Sequence, residues 1–188
     1  MILEAIKIQP NGTFILCTSF SFLEKAYALL KPELERLRFT VLKQGNQSKI
    51  TLLNQFKQAK RPVLFATDSF WEGVDVQGGI LKLVVITRLP FKVPDEPLVQ
   101  AMAEKILNEG GDPFLEDSLP DAIVKFKQGF GRLIRSRKDR GCVLCLDKRL
   151  FTKPYGRHFL KSLPPCGNCF LPKDQLLETL KRFYFSAK

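Results

Sequence analysis

A chain of 188 residues with ordinary apolar content is long enough for one hydrophobic core with appended helices, and a single domain over 1–188 is the expectation. No run approaches the roughly 18 apolar residues of a membrane span, and the opening Met-Ile-Leu-Glu-Ala-Ile-Lys lacks a signal-peptide layout, which excludes a membrane span and points to the cytoplasm. Five cysteines, an odd number, do not suit a secreted disulfide framework, and a net charge of +11 suits a polyanionic partner or a solvated basic face.

Short apolar runs alternate with helical patterns, the layout of a parallel sheet covered by helices, so the class is α/β. Phe14 to Cys17 reads as a first strand. A helix from Phe22 to Leu37 follows, with Leu23, Ala26, Tyr27 and Leu30 on one face, and then a second strand at Phe39 to Leu42. A helix from Lys49 to Gln58 leads to a third strand, Val63 to Ala66. Leu81 to Ile86 is a near-continuous apolar run suited to a strand buried on both faces. Pro90, Pro94 and Pro97 mark a loop. A helix from Leu98 to Asn108 ends at Gly110-Gly111, and the stretch to Asp121 reads as an exposed connection. Gly141 to Leu146 is a last strand. An aromatic-basic segment to Leu163 and the Pro164-Pro165 break precede a terminal helix from Lys173 to Phe185, so 164–188 reads as a helical extension.

Charge is unevenly spread along this order. Residues 95–121 carry eight Asp or Glu against Lys105, a net of −7, whereas 125–161 carry twelve Lys or Arg against Asp139 and Asp147, a net of +10. The acidic part reads most simply as a solvated face. The basic part fits nucleotide phosphates or a nucleic acid backbone, and equally a solvated surface.

Within the basic part, Gln128-Gly-Phe-Gly-Arg-Leu-Ile-Arg135 suggests a phosphate sensor. At about 100° per residue, Arg132 and Arg135 fall within roughly 40° and 20° of Gln128 on a helix, opposite Phe126, Phe130, Leu133 and Ile134. Gly129 and Gly131 cost a helix interior about 1 kcal/mol each against Ala, which close approach of backbone or ligand would explain. An amphipathic helix with solvated arginines has the same spacing.

A second unusual segment is Phe65-Ala-Thr-Asp-Ser-Phe-Trp-Glu-Gly-Val-Asp75, which begins where the third strand ends, the position at which ligands collect in parallel sheets. Asp68, Glu72 and Asp75 lack a His or second acidic cluster to complete a metal site. Cys142-Val-Leu-Cys145 and Cys166-Gly-Asn-Cys169 could be spaced for zinc, but strand alternation sends Cys142 and Cys145 to opposite faces, so no metal site is assigned. Buried cysteines serving as small hydrophobes account for that pair. His158 sits in a basic aromatic run with no evident nucleophile beside it.

Taken together, Phe70-Trp-Glu-Gly-Val-Asp75 and Gln128-x-x-Gly131-Arg132-x-x-Arg135 resemble motifs V and VI of superfamily 2 helicases of the DinG and XPD type. Leu16-Cys-Thr-Ser19 resembles motif IV. Leu89-Pro-Phe-Lys-Val-Pro94, Asp147-Lys-Arg149 and Thr152-Lys-Pro-Tyr-Gly-Arg157 resemble later family segments in the right order, closest to the bacterial DinG-like branch. The resemblance implies a RecA-like (P-loop NTPase-like) three-layer domain, the second of two motor domains. No G-x-x-x-x-G-K-[ST] loop and no Asp-Glu-Ala-His-like box occurs here, so this chain alone is not expected to hydrolyse ATP.

By the same resemblance, Arg132 and Arg135 would reach the β- and γ-phosphates, one as an arginine finger, and Gln128 would help to position the γ-phosphate. Gly73, Asp75 and Gly131 would approach the nucleotide. Thr18, Ser19, Thr67 and Trp71 would lie on the nucleic acid track, Trp71 either stacking a base or packing the loop. ATP and Mg²⁺ would bind mainly to the first motor domain, in the same polypeptide or in trans. The family's iron–sulfur cysteines belong to an insertion in that domain. Single-stranded DNA is the implied partner, with 5′ to 3′ movement and a place on the bacterial nucleoid. A non-catalytic module that only binds nucleic acid or a partner is the competing reading.

Overall fold

The computed structural model describes residues 1–45, 47–67, 70, 79–131, 133 and 140–185. Five parallel strands, β1 (Gly12–Cys17), β2 (Thr40–Lys43), β3 (Pro62–Thr67), β4 (Leu81–Ile86) and β5 (Cys142–Cys145), form one sheet in the order β2-β3-β1-β4-β5. Residues of β1 and β3 are buried throughout, as expected of central strands with a helical layer on each face. The two-residue period then sorts the side chains. Phe14, Leu16, Leu64, Ala66, Val84 and Ile86 point to one face, and Ile15, Cys17, Val63, Phe65, Leu83 and Val85 to the other.

On the first face lie α3 (Lys49–Gln58), α5 (Leu119–Gly131), α6 (Arg149–Thr152) and α7 (Gly156–Ser162), which contribute Phe56, Phe126, Leu150 and Phe159. The second face carries α1 (Ile2–Ile8), α2 (Phe20–Arg36) and α8 (Lys173–Phe185), which contribute Ile6, Leu23 and Leu180. This is the expected three-layer α/β arrangement. Each fully buried side chain of this size contributes roughly 2 kcal/mol against exposure.

The remaining helix, α4 (Pro97–Asn108), has no buried residue and stands out from the core. The connection after it is largely exposed, as expected, and it is also helical. Phe114–Ser118 is a π-helical segment that runs straight into α5. The Asp112 carboxylate starts it by accepting from the Phe114 and Leu115 amides at 2.8 and 3.2 Å. Phe114 then packs on Phe91 and Tyr155, with centroids 5.8 and 5.2 Å apart. A capping carboxylate and two aromatic contacts hold this helical turn in place. Among the described residues no helix is long and apolar enough to cross a membrane.

Candidate functional site

Parallel pairing puts the ends of β1 and β3 side by side, with Cys17 in register with Thr67. Three predicted residues therefore meet at the carboxyl edge of the sheet: Thr18 and Ser19 leaving β1, and Thr67 ending β3. Ser19 caps α2, its Oγ accepting from the Phe22 amide at 3.2 Å. The capped first turn of α2 faces outward from this edge, the arrangement in which free amides and the helix dipole favour an anion. Thr67 is used differently. It is buried, and both its amide and its hydroxyl donate to the Gln44 side-chain oxygen, at 2.7 and 3.0 Å.

Gln44 is one residue that the sequence reading missed, because its partner lies 23 residues away across a strand pair. Thr87 is another. Its hydroxyl donates to the Leu16 carbonyl at 2.9 Å and holds β4 to β1 at the same edge. The neighbouring Arg88 is exposed, with its guanidinium 5.8 Å from the centre of the Phe22 ring, which adds a cation beside the α2 terminus. A single arginine in an apolar context carries no motif, and only the fold assigns it to this edge.

Phe70 anchors the segment that follows β3. It is buried, 6.5 Å from Phe14 in edge-on contact, with the Lys49 ammonium 5.1 Å from its ring centre. Asp68, Ser69, Trp71, Glu72, Gly73 and Asp75 lie outside the described residues.

The other candidate stretch sits at the end of α5. Phe126 and Phe130 are buried, as the helical pattern predicted, and Leu133 is buried just beyond. The described helix ends at Gly131, and the Leu133 amide turns back to the Phe130 carbonyl at 3.0 Å. Arg132 and residues 134–139, Arg135 included, lie outside the described residues. Gln128 is half-buried, and its side-chain oxygen is buried with no hydrogen-bond partner among the described residues. A buried carbonyl oxygen left in that state costs about 1 to 3 kcal/mol, which a donor from beyond the described residues would relieve. Among the described residues a Cβ at Gly131 would meet nothing within 4 Å, so crowding by them does not require glycine there. Gly131 instead borders an open cleft of about 410 Å³, lined also by Lys127, Phe130 and Pro164.

Beside this face, Asp147 locks the exit of β5. Its carboxylate accepts from the Leu89 amide at 3.0 Å, the Arg149 amide at 3.0 Å and the Arg149 guanidinium at 2.7 Å. Burial alone would raise the Asp147 carboxyl, but the Arg149 guanidinium and the two amides together hold it below the usual carboxylate range.

Cys142 and Cys145 do face opposite ways, Cys142 into the α1/α2/α8 side and Cys145 into the α3/α5/α7 side. They cannot share an ion. Burial pushes both thiols up to about 11, with Cys169 adding a smaller effect at Cys142, and burial raises Cys17 to about 11 as well. A thiolate-specific reagent at pH 8 is therefore expected to titrate Cys166 and Cys169, which are exposed, and to reach the other three only on denaturation. Rapid reaction of all five in the native protein would contradict this packing.

The sequence profile described as helicase C-terminal domain matches residues 2–166. The ATP-dependent DNA helicase YoaA of Haemophilus influenzae is 46% identical over 164 residues, covering 87% of this chain and 25% of that protein. YoaA of Escherichia coli K12 is 47% identical over 169 residues, covering 88% and 26%. The 3′-5′ exonuclease DinG of Bacillus subtilis is 42% identical over 164 residues, covering 86% and 18%. The chain thus spans about a quarter or less of these relatives. Among solved structures, an XPD helicase superposes with a TM-score of 0.66 at 20% identity, over 86% of this chain and 29% of the other, which bears on the fold alone. Domain 2 of the DEAD-box helicase Mss116p, bound to an RNA duplex, superposes with a TM-score of 0.58 at 18% identity, over 98% and 63%. With its five-stranded parallel sheet, its capped β1 exit and its glycine-bearing α5 terminus, this chain belongs to the helicase C-terminal domain family, with YoaA and DinG among its relatives.

Proposed function

We propose that the chain is the second motor domain of an ATP-dependent DNA helicase and that its chemistry takes place at the seam with a first motor domain. The observation that carries this reading is the shared anchoring of the two motif segments. Phe70 and Leu133 sink into the same core cluster on one face of the sheet. Gly73 and Asp75 follow the first anchor closely, and Arg132 and Arg135 flank the second.

ATP is the substrate, and Mg²⁺, which would neutralise phosphate charge, is assigned to the first domain. Arg132 and Arg135 stabilise charge developing on the β- and γ-phosphates, a task for which a fixed planar fork suits better than Lys. Gln128 helps to position the γ-phosphate, its side-chain NH2 donating to a phosphate oxygen. Gly131 leaves room for the opposing domain, and Gly73 and Asp75 approach the nucleotide, the carboxylate accepting from ribose hydroxyls. Thr18, Ser19 and Trp71 form the track for single-stranded DNA, with hydroxyls and amides on phosphates, and Thr67, whose amide and hydroxyl both donate to Gln44, braces the edge beneath it. Closure around ATP and opening after hydrolysis move the protein along the strand in the 5′ to 3′ direction.

The direct test is complementation. Alone, the chain is expected to show no DNA-stimulated ATP hydrolysis. Joined to a first motor domain that carries the phosphate loop and acidic box, it is expected to restore turnover above that of the first domain by itself. Hydrolysis by the isolated chain, or no gain on joining, would sink the reading.

A further inference from the structure

Two large aromatic side chains lie outside both core clusters and are stacked on each other in the open. Phe151, on α6, and Phe170, in the extended run between α7 and α8, have ring centroids 4.6 Å apart and planes 22° apart. Phe151 is 37% exposed and Phe170 is 62% exposed. Core packing does not account for them, and the contact covers one face of each ring and leaves the outer side of Phe170 accessible. Their surroundings are basic. Lys148 starts α6, Lys153 follows it and Arg157 opens α7. All three are exposed and none has a carboxylate partner among the described residues. Asp147 ties the start of α6 to Leu89, just past the end of β4, so the platform is fixed to the same carboxyl edge that carries Thr18, Ser19 and Thr67.

We propose that Phe151 and Phe170 form an additional base-stacking platform for single-stranded nucleic acid: one base continues the two-ring stack on the outer face of Phe170, and Lys148, Lys153 and Arg157 hold the flanking phosphates. This rests on the reading of the chain as a DNA-gripping motor domain and extends the grip beyond the helicase motifs. Stacking is sequence-tolerant because every base offers a π face, and a basic rim supplies the salt-dependent part of the affinity.

The test uses the full chain with a labelled oligo-dT and an abasic strand bearing the same phosphates. Phe170→Leu keeps apolar bulk and removes the ring. It is expected to weaken oligo-dT binding roughly five- to fiftyfold, by loss of one stacked base, while abasic binding, the salt slope and the thermal midpoint stay as in the wild type. Phe170→Trp is expected to retain the preference for base-bearing DNA. Lys153→Ala should weaken both strands alike and lower the salt slope by about one. If the wild type prefers oligo-dT but Phe170→Leu leaves that preference intact, the platform is overturned while the motor-domain reading stands. Equal losses on both strands also overturn it, and a wild-type chain that binds neither strand overturns both.

Discussion

Arg135→Ala, in the chain joined to a first motor domain, is expected to lower DNA-stimulated ATP turnover about a thousandfold or more, equivalent to roughly 4 kcal/mol of transition-state stabilisation. The physical reason is the timing of charge. A guanidinium held across the cleft meets negative charge that grows only as the γ-phosphoryl departs, so its loss falls on kcat rather than on the KM for ATP. Arg135→Lys should recover little, because a single ammonium cannot reproduce a planar fork against two phosphate oxygens. Arg132→Ala is expected to show a loss of the same kind. Single-strand binding separates this from misfolding: Ser19 is held by the Phe22 amide and α5 is anchored by Phe126, Phe130 and Leu133, so Arg135→Ala should bind DNA within a few-fold of wild type. Unchanged turnover in the joined protein would remove the arginine-finger assignment and favour a module that only binds nucleic acid.

What the sequence made legible follows from where burial is two-sided. Strands β1, β3 and β4 are unbroken apolar runs because helices cover both faces, and α3 and α8 fall at their predicted residues because an apolar stripe and clear stops define them. α1 was not anticipated. Seven residues are too few to display a helical period, and what holds them is tertiary: Ala5 and Ile6 are fully buried in the cluster that includes Leu180 of α8. The same division runs through the site. Gln128 was singled out by its place opposite an apolar helix side, and Gly131 and Ser19 by their places in the motif VI and motif IV resemblances. Gln44, Thr87 and Arg88 carry no local pattern and matter only because the sheet order brings β1, β3 and β4 together. Thr67 shows the limit from the other direction. A hydroxyl at a strand end looks free for phosphate, yet in the fold it donates to Gln44 and braces the edge.

Gly156→Ala is expected to destabilise the chain by about 3 kcal/mol, a fall in thermal midpoint of roughly 10 °C for a domain of this size. The cause is steric, not conformational. A Cβ built at Gly156 overlaps the backbone carbonyl of Leu150 and lies 3.1 Å from that of Arg149, and neither is the mobile end of a side chain. Nor can the neighbourhood shift easily. Leu150 is buried in the core, Arg149 is clamped by Asp147, and Phe159, three residues after Gly156, is fully buried against Phe126 with centroids 5.4 Å apart. Relief therefore requires α7 to move away from α6, which would open the contact with α5 and the cleft at Gly131. Gly167→Ala provides the control, since a Cβ there meets nothing within 4 Å on an exposed stretch, and its thermal midpoint should match wild type. Equal midpoints for the two variants would show that the α6–α7 corner yields at little cost. A selective loss in Gly156→Ala, followed by weaker ATP turnover in the joined protein than its folded fraction accounts for, would tie this glycine to the setting of the α5 terminus.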